Sequence, residues 1–198
     1  VDIGFKIRDA INIYYETNFQ EDPTSNFQWE FVLVDDDQTK NAWCMPGGKI
    51  AFYSGILPIL KNVDGVASVM GHEIAHAVAR HSAERASTAM VTDLGIMALE
   101  QFVLGQRLPQ AAGYVRQFGL DLPFNRKQES EADYLGLIFS SLAGYDINES
   151  YKVWERMKED MGGSGPSEFF STHPSPDNRI KNLKEWIPIV SKQYPVIG

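Results

Sequence analysis

Nowhere in the 198-residue chain do 18 apolar residues run together, so no stretch reads as a membrane-spanning helix. The nearest approach, residues 89–105, is interrupted by Asp93 and Glu100. Cysteine is almost missing. Cys44 stands alone, which excludes an intrachain disulfide and a four-cysteine zinc site and leaves the compartment open. Basic charge is also short: 18 Lys and Arg face 26 Asp and Glu, and the net charge of −8 argues against a nucleic-acid partner. Internal repeats and low-complexity tracts are absent. The chain begins at Val1 instead of Met, as a trimmed or processed chain would, which leaves room for a removed signal or membrane anchor.

What remains is an ordinary globular composition, 43% hydrophobic and 22% charged, long enough for one domain over residues 1–198 with a sizeable core. Residues 3–16 carry Ile3, Ile7 and Ile11 at helical spacing. Residues 21–26 are a turn cluster, and 27–37 read as a strand rich in aromatic and β-branched residues. Residues 41–55 read as two strand segments joined by a glycine turn at "PGG". Helices follow: one from about Asn62 to the mid-80s, one from an Asn125 cap with Gln128 at the capping-box position, and one from Asn148 to Gly162. The last of these carries Ile147, Tyr151, Trp154, Met157 and Met161 on its core-facing stripe. Residues 162–177 read as a loop, after which Asp177 caps a final helix bearing Ile180, Leu183 and Ile187. The fold class is therefore α+β, with a small N-terminal sheet of antiparallel type packed on a mainly helical body. Residues 87–119 mix apolar residues with glycines. They leave open a lid, a docking surface for membrane or partner, and a helical hairpin that closes the core.

Three of the four histidines fall in "VMGHEIAHAVARH", residues 69–81. On a helix, His72 and His76 lie about 6 Å apart along the axis and about 40° apart around it, on one face. That spacing lets two imidazoles meet one metal ion. Glu73 stands about 100° round from His72, placed to act on a water and not as a ligand. The plain alternative is a helix that happens to carry polar residues, but its neighbours are apolar and small, and buried histidines need partners. His81 projects about 140° from His76 and is expected at the surface or in support of the site. Glu84 lies too far along the axis to be a ligand.

A third ligand must come from elsewhere, and "ESEADYLG" (129–136) supplies the best set. Glu129 and Asp133 share a face, four residues apart. Glu129 is the expected ligand, and Asp133 the acceptor that fixes a ligand histidine's tautomer. Both also suit a solvated helix start. Glu131 faces away, as an exposed charge or an ion pair with Arg126 or Lys127.

The ordered set "MPGGKIAFYSGIL" (45–57), "VMGHEIAHAVARHSAER" (69–85), "ESEADYLG" (129–136) and "STHPSPDNRI" (171–180) resembles the zinc metallopeptidases of family M48. That family includes Ste-type CaaX prenyl proteases, mitochondrial Oma-type proteases and bacterial periplasmic BepA-type proteases. The resemblance implies a zincin-like fold with one Zn2+ per chain held by His72, His76 and Glu129. It implies Glu73 as base, Asp133 orienting a ligand histidine, and His173 near the metal, either steadying the oxyanion or filling the open position at rest. It implies an endopeptidase acting on unfolded or misassembled polypeptides, with peripheral membrane association and an exported, periplasmic or membrane-associated location expected and a mitochondrial one as the alternative. "NAWCMPGG" reads as an edge strand over the cleft, making Asn41, Ala42 and Trp43 substrate contacts, or as an ordinary strand. Cys44 reads as buried and inert. Arg179 either approaches the site or pairs with an acid to hold its loop. Two rivals stand beside the peptidase: a catalytically silent or self-inhibited zinc-containing chaperone or scaffold module, and a zinc-free helical interaction domain.

Overall fold

The computed structural model describes residues 1–85, 87, 125–164, 168–174 and 176–196. The alternatives for 87–119 fall almost wholly outside these residues, as does the side chain of Met161.

Helix α1 (Asp2–Thr17) buries Ile7, Ala10 and Ile11, as its periodicity predicts. Three strands follow: β1 (Glu30–Val34), β2 (Ala42–Met45) and β3 (Lys49–Tyr53). Pro46 and Gly47 occupy the middle of a turn closed by Gly48 N donating to Met45 O at 3.2 Å. Gly47 has φ 91° and Gly48 φ 86°, conformations that side chains with a Cβ resist. The sheet order is β1-β3-β2, with β2 antiparallel and β1 parallel to β3. The sheet is therefore mixed and not antiparallel throughout. The hairpin inserts β3 beside β1, so the 35–41 connection passes over the sheet end to reach the far edge.

Beyond the sheet, a 3-10 turn (Ser54–Ile56) leads into α2 (Leu57–Leu60) and then α3 (Val63–Val78). Asn62 caps α3, its side-chain oxygen accepting from Gly65 N at 2.8 Å. Every residue of α3 from Val69 to Val78 is buried. The helix was expected to continue into the mid-80s. Instead it stops at Ala79, because Arg80 takes a left-handed φ of 58°, and a new helical turn covers 81–85. Such a conformation costs an L-residue about 1–2 kcal/mol.

Helix α4 (Arg126–Leu142) opens with the expected capping box of Asn125 and Gln128. Helix α5 (Glu149–Ser164) buries Val153, Trp154 and Met157. The expected loop 162–177 contains a short helix, α6 (Glu168–Thr172), because Phe169 gains burial against Trp154 at 5.6 Å between ring centroids. Helix α7 (Pro176–Gln193) begins at Pro176, so Asp177 lies inside the first turn and not at the cap. It buries Leu183, Ile187 and Val190. Among the described residues no helix is long and apolar enough to cross a membrane.

Helices α3 and α4 meet backbone to backbone. A Cβ on Gly136 would lie 2.9 Å from His72 N, and one on Gly71 would lie 3.0 Å from Gly136 O. Gly136→Ala is expected to cost about 1–3 kcal/mol in denaturant unfolding, because the obstructing atoms are backbone and cannot rotate away. It should also weaken divalent-metal binding, because α4 carries Glu129 and Asp133 and must retreat from α3. Calorimetric metal titration of the variant checks the second effect.

Candidate metal centre

The crossing of α3 and α4 sets the site. His72 and His76, one turn apart on α3, are 5% and 2% exposed. Their Nε2 atoms converge to 3.1 Å. From the first turn of α4, Glu129 brings Oε1 to 3.3 Å from His76 Nε2 and Oε2 to 3.7 Å from His72 Nε2. His173, just after α6, places Nδ1 3.0 Å from Glu129 Oε1 and 3.2 Å from His72 Nε2. Donor atoms of these four buried residues all lie within 4.8 Å of one another.

These spacings can be tested against a metal. Ligand atoms about 2.0–2.1 Å from a tetrahedral zinc lie about 3.3 Å apart. The measured separations bracket that value. Charge points the same way. Glu73, Glu129 and Asp133 are buried carboxylates, and Arg179 is the buried guanidinium that faces them. Formally, two negative charges among these four remain for a dication. Glu73 Oε1 and Glu129 Oε2 are also buried with no well-aligned hydrogen bond, although His173 and Arg179 stand at ion-pair distance from them.

Behind the donors lies a supporting layer. Asp133 Oδ1 sits 3.0 Å from His72 Nδ1, as its helix position predicts. Arg179, from the first turn of α7, donates through Nε to Asp133 Oδ2 at 2.7 Å, and its Nη1 contacts Glu129 Oε2. Its guanidinium lies over the Trp154 ring, 3.6 Å from the centroid. Arg179 thus approaches the site and pairs with acids as well, although the sequence posed these as alternatives. Glu73 Oε1 stands 3.2 Å from His173 Nε2, beside the donor cluster and not among its members.

Burial by itself would raise the Glu129 carboxyl. Arg179 and His173 outweigh it and hold the group far below the usual carboxylate range. Burial likewise opposes charge on Asp133, and Arg179 overcomes it. Burial keeps His76 well below the ordinary imidazole value. At His173 burial also disfavours the proton, but the carboxylates of Glu73 and Glu129 push it up to about 9. The same negative field that attracts a proton there attracts a cation to the cluster.

Of the two places expected for His81, the structure gives the buried one beside the site and not the surface. The left-handed turn at Arg80 swings it back, and it is 2% exposed with Nδ1 2.9 Å from His76 Nδ1. Helical projection from His76 could not show this, because the helix ends between them. Glu131 is exposed as expected, yet its Oε2 reaches to 3.4 Å from His81 Nε2. Gln128 donates to Glu84 at 2.7 Å, consistent with the exclusion of Glu84 as a ligand.

The edge-strand reading agrees with the sheet order, in which β2 is terminal. Ala42 is buried, whereas Asn41 and Trp43 are half-buried. Tyr53 N donates to Asn41 O at 3.1 Å, so the backbone of Asn41 and Trp43 faces β3 and that of Ala42 and Cys44 faces outward. Cys44 is half-buried and not fully buried as expected, and burial raises its thiol pKa above the ordinary value.

A model of peptidase family M48 matches residues 11–187. The chain is 44% identical over 166 residues to the mitochondrial metalloendopeptidase OMA1 of Schizosaccharomyces pombe, covering 83% of this chain and 48% of that protein. It is 36% identical over an alignment of 212 residues to the mitochondrial metalloendopeptidase OMA1 of Saccharomyces cerevisiae, covering 97% and 58%. A putative beta-barrel assembly-enhancing protease of Vibrio cholerae is 30% identical over 172 residues, covering 80% and 34%. The chain belongs to peptidase family M48. It spans about half the length of the two yeast relatives.

Asp133→Asn keeps an oxygen near His72 Nδ1 but removes the charge that Arg179 pairs. It is expected to weaken divalent-cation affinity by about 10- to 100-fold. Titration of metal-free protein with Zn2+ measures this, and unchanged affinity would show that the Asp133 charge does not contribute.

Proposed function

We propose that this chain is a zinc-dependent endopeptidase domain that hydrolyses peptide bonds in extended or unfolded polypeptides. One observation carries the reading. Two imidazole nitrogens and a carboxylate converge from two helices at zinc-ligand spacing, with a further buried carboxylate, Glu73, beside them but outside the donor set. Membership of a peptidase family, and the names of the relatives, support the same chemistry.

His72, His76 and Glu129 would hold one Zn2+, for which imidazole and carboxylate are suitable donors. Bound zinc supplies a Lewis acid for the scissile carbonyl and brings the pKa of a water toward about 7. Glu73 would take the proton from the attacking water and pass it to the leaving amine. Asp133, held by Arg179, keeps the His72 proton on Nδ1 and so aims Nε2 at the cation. His173 stands at the fourth corner of the donor cluster, where it closes the site. Its ring N–H would steady a developing oxyanion.

An extended substrate would add to the outer edge of β2. There it would hydrogen-bond to the backbone of Ala42 and Cys44, with Asn41 and Trp43 offering side-chain contacts. Ala42 N–H now donates to the Asn41 side chain at 2.9 Å, so a substrate strand would displace that bond. The yeast relatives are named mitochondrial, which supports the mitochondrial alternative for location. The bacterial relative, named for β-barrel assembly, supports a role in the quality control of membrane proteins at a cell envelope.

Glu73→Gln is expected to retain zinc and to lose about 100- to 10,000-fold of its cleavage rate on an unfolded casein substrate. Cleavage that survives this substitution would remove Glu73 as the base. Glu129→Ala should lower the zinc content of purified protein by elemental analysis. Chelation should abolish cleavage by the native chain, and added Zn2+ should restore it; activity indifferent to chelation would defeat the metallopeptidase reading.

A further inference from the structure

His72 and His76 have equivalent places on α3, yet the nitrogens turned away from the donor cluster meet different partners. His72 Nδ1 faces the buried carboxylate of Asp133 at 3.0 Å. His76 Nδ1 faces another imidazole, His81 Nδ1, at 2.9 Å. A neutral imidazole has one N–H and one lone pair. His76 Nε2 is the atom turned to His72 Nε2 and Glu129, so its lone pair is the one available to a cation. The His76 proton then resides on Nδ1 and must be donated outward. His81 Nδ1 is the acceptor in line, which assigns the proton of His81 to Nε2. That nitrogen faces Glu131 Oε2 at 3.4 Å. One direction of donation thus runs from the metal side to the surface: His76 to His81 to Glu131.

We infer that His81 is a positioning residue for the metal centre: its Nδ1 lone pair holds His76 in the tautomer and ring orientation that present Nε2 to the cation. The inference deepens the proposed zinc site and rests on His76 being a ligand through Nε2. His81 acts on the cluster through His76. Its buried place depends on Arg80, whose φ of 58° ends α3 and folds the next turn back over it. An unbroken helix would carry residue 81 about 140° away from His76. Glu131 lies at the exposed end, its side chain 60% accessible, so solvent screens its carboxylate and the imidazole provides most of the support.

Metal-free native protein and the variants His81→Leu, His81→Asn and Glu131→Gln are titrated with Zn2+ and Co2+, and thermal unfolding of each metal-free form is recorded. Leucine fills the space without an acceptor, whereas the asparagine amide oxygen falls near the place of Nδ1. His81→Leu is expected to bind about 10- to 100-fold more weakly, with His81→Asn restored to within about threefold of native and Glu131→Gln changed by less than about threefold. In the native zinc-loaded protein, nitrogen-15 NMR should show His76 protonated at Nδ1 and His81 at Nε2. Equal affinity of native protein and His81→Leu overturns the inference. So does equal weakening by leucine and asparagine, which would mark a packing role, or a proton found on His81 Nδ1. The NMR result decides even where His81→Leu fails to fold. Native protein that takes up neither cation overturns the His76 ligand reading and this inference together. A native protein that binds zinc while His81→Leu binds equally well overturns the inference alone.

Discussion

Helices α3 and α4 approach each other backbone to backbone at Gly71 and Gly136, with the small Ser140 side chain against Gly71, and the spacing of the donor cluster depends on this contact. His72 follows Gly71 directly in sequence. Asp133 lies about one turn before Gly136 on α4, and Glu129 about two turns before it. The crossing point therefore fixes how far the imidazoles stand from the carboxylates. A methyl group in the crossing would separate the helices by a fraction of a van der Waals diameter. That displacement is comparable with the tolerance of a metal site, whose bond lengths allow about 0.2 Å. Close packing here sets the spacing of the donor cluster as well as adding stability.

Proximity brings an electrostatic difficulty that α7 resolves. Burying Glu73, Glu129 and Asp133 so close together is unfavourable unless opposite charge enters with them. Arg179 supplies part of it and contacts two of the three carboxylates. Trp154 covers the guanidinium, keeping it against the acids and away from water. The compensation is incomplete, and the net charge that remains suits a dication. The ion pair and the donor cluster are thus one electrostatic unit assembled from α3, α4, α6 and α7.

The chemistry was more legible in the sequence than the geometry around it. His72, Glu73 and His76 are related by helical spacing alone. Glu129 and Asp133 share a face on a helix whose cap, Asn125 with Gln128, is written locally. The "PGG" turn is local too, since only glycine readily adopts the positive φ found at positions 47 and 48. What escaped was non-local. Nothing in sequence marks Arg80 for a left-handed conformation, so His81 was projected away from a site to which it returns. The parallel pairing of β1 with β3 depends on how the hairpin docks, and the period-two pattern of a strand carries no direction. The helix at 168–172 forms because Phe169 finds Trp154, a partner on another helix. Arg179 meets Asp133 across 46 residues and Glu129 across 50, distances over which spacing predicts nothing.

Whether such a centre is structural or catalytic depends on its fourth donor. Four protein ligands close a zinc site, whereas three leave a position for reaction. The donors here are unequal in how they are held. His72, His76 and Glu129 belong to helices of 16 and 17 residues locked at the glycine crossing. His173 follows a helix of five residues; its N–H donates to Phe169 O at 3.0 Å, its ring stacks on Phe169 at 4.4 Å, and its side chain contacts Glu73, Glu129 and His72. A single helical turn has little stability of its own and depends on the contacts of its side chains. The donor whose departure would open the centre is thus the one on the weakest element. The three that must remain are on the strongest, which is the distribution of rigidity expected of a hydrolytic site and not of a structural one.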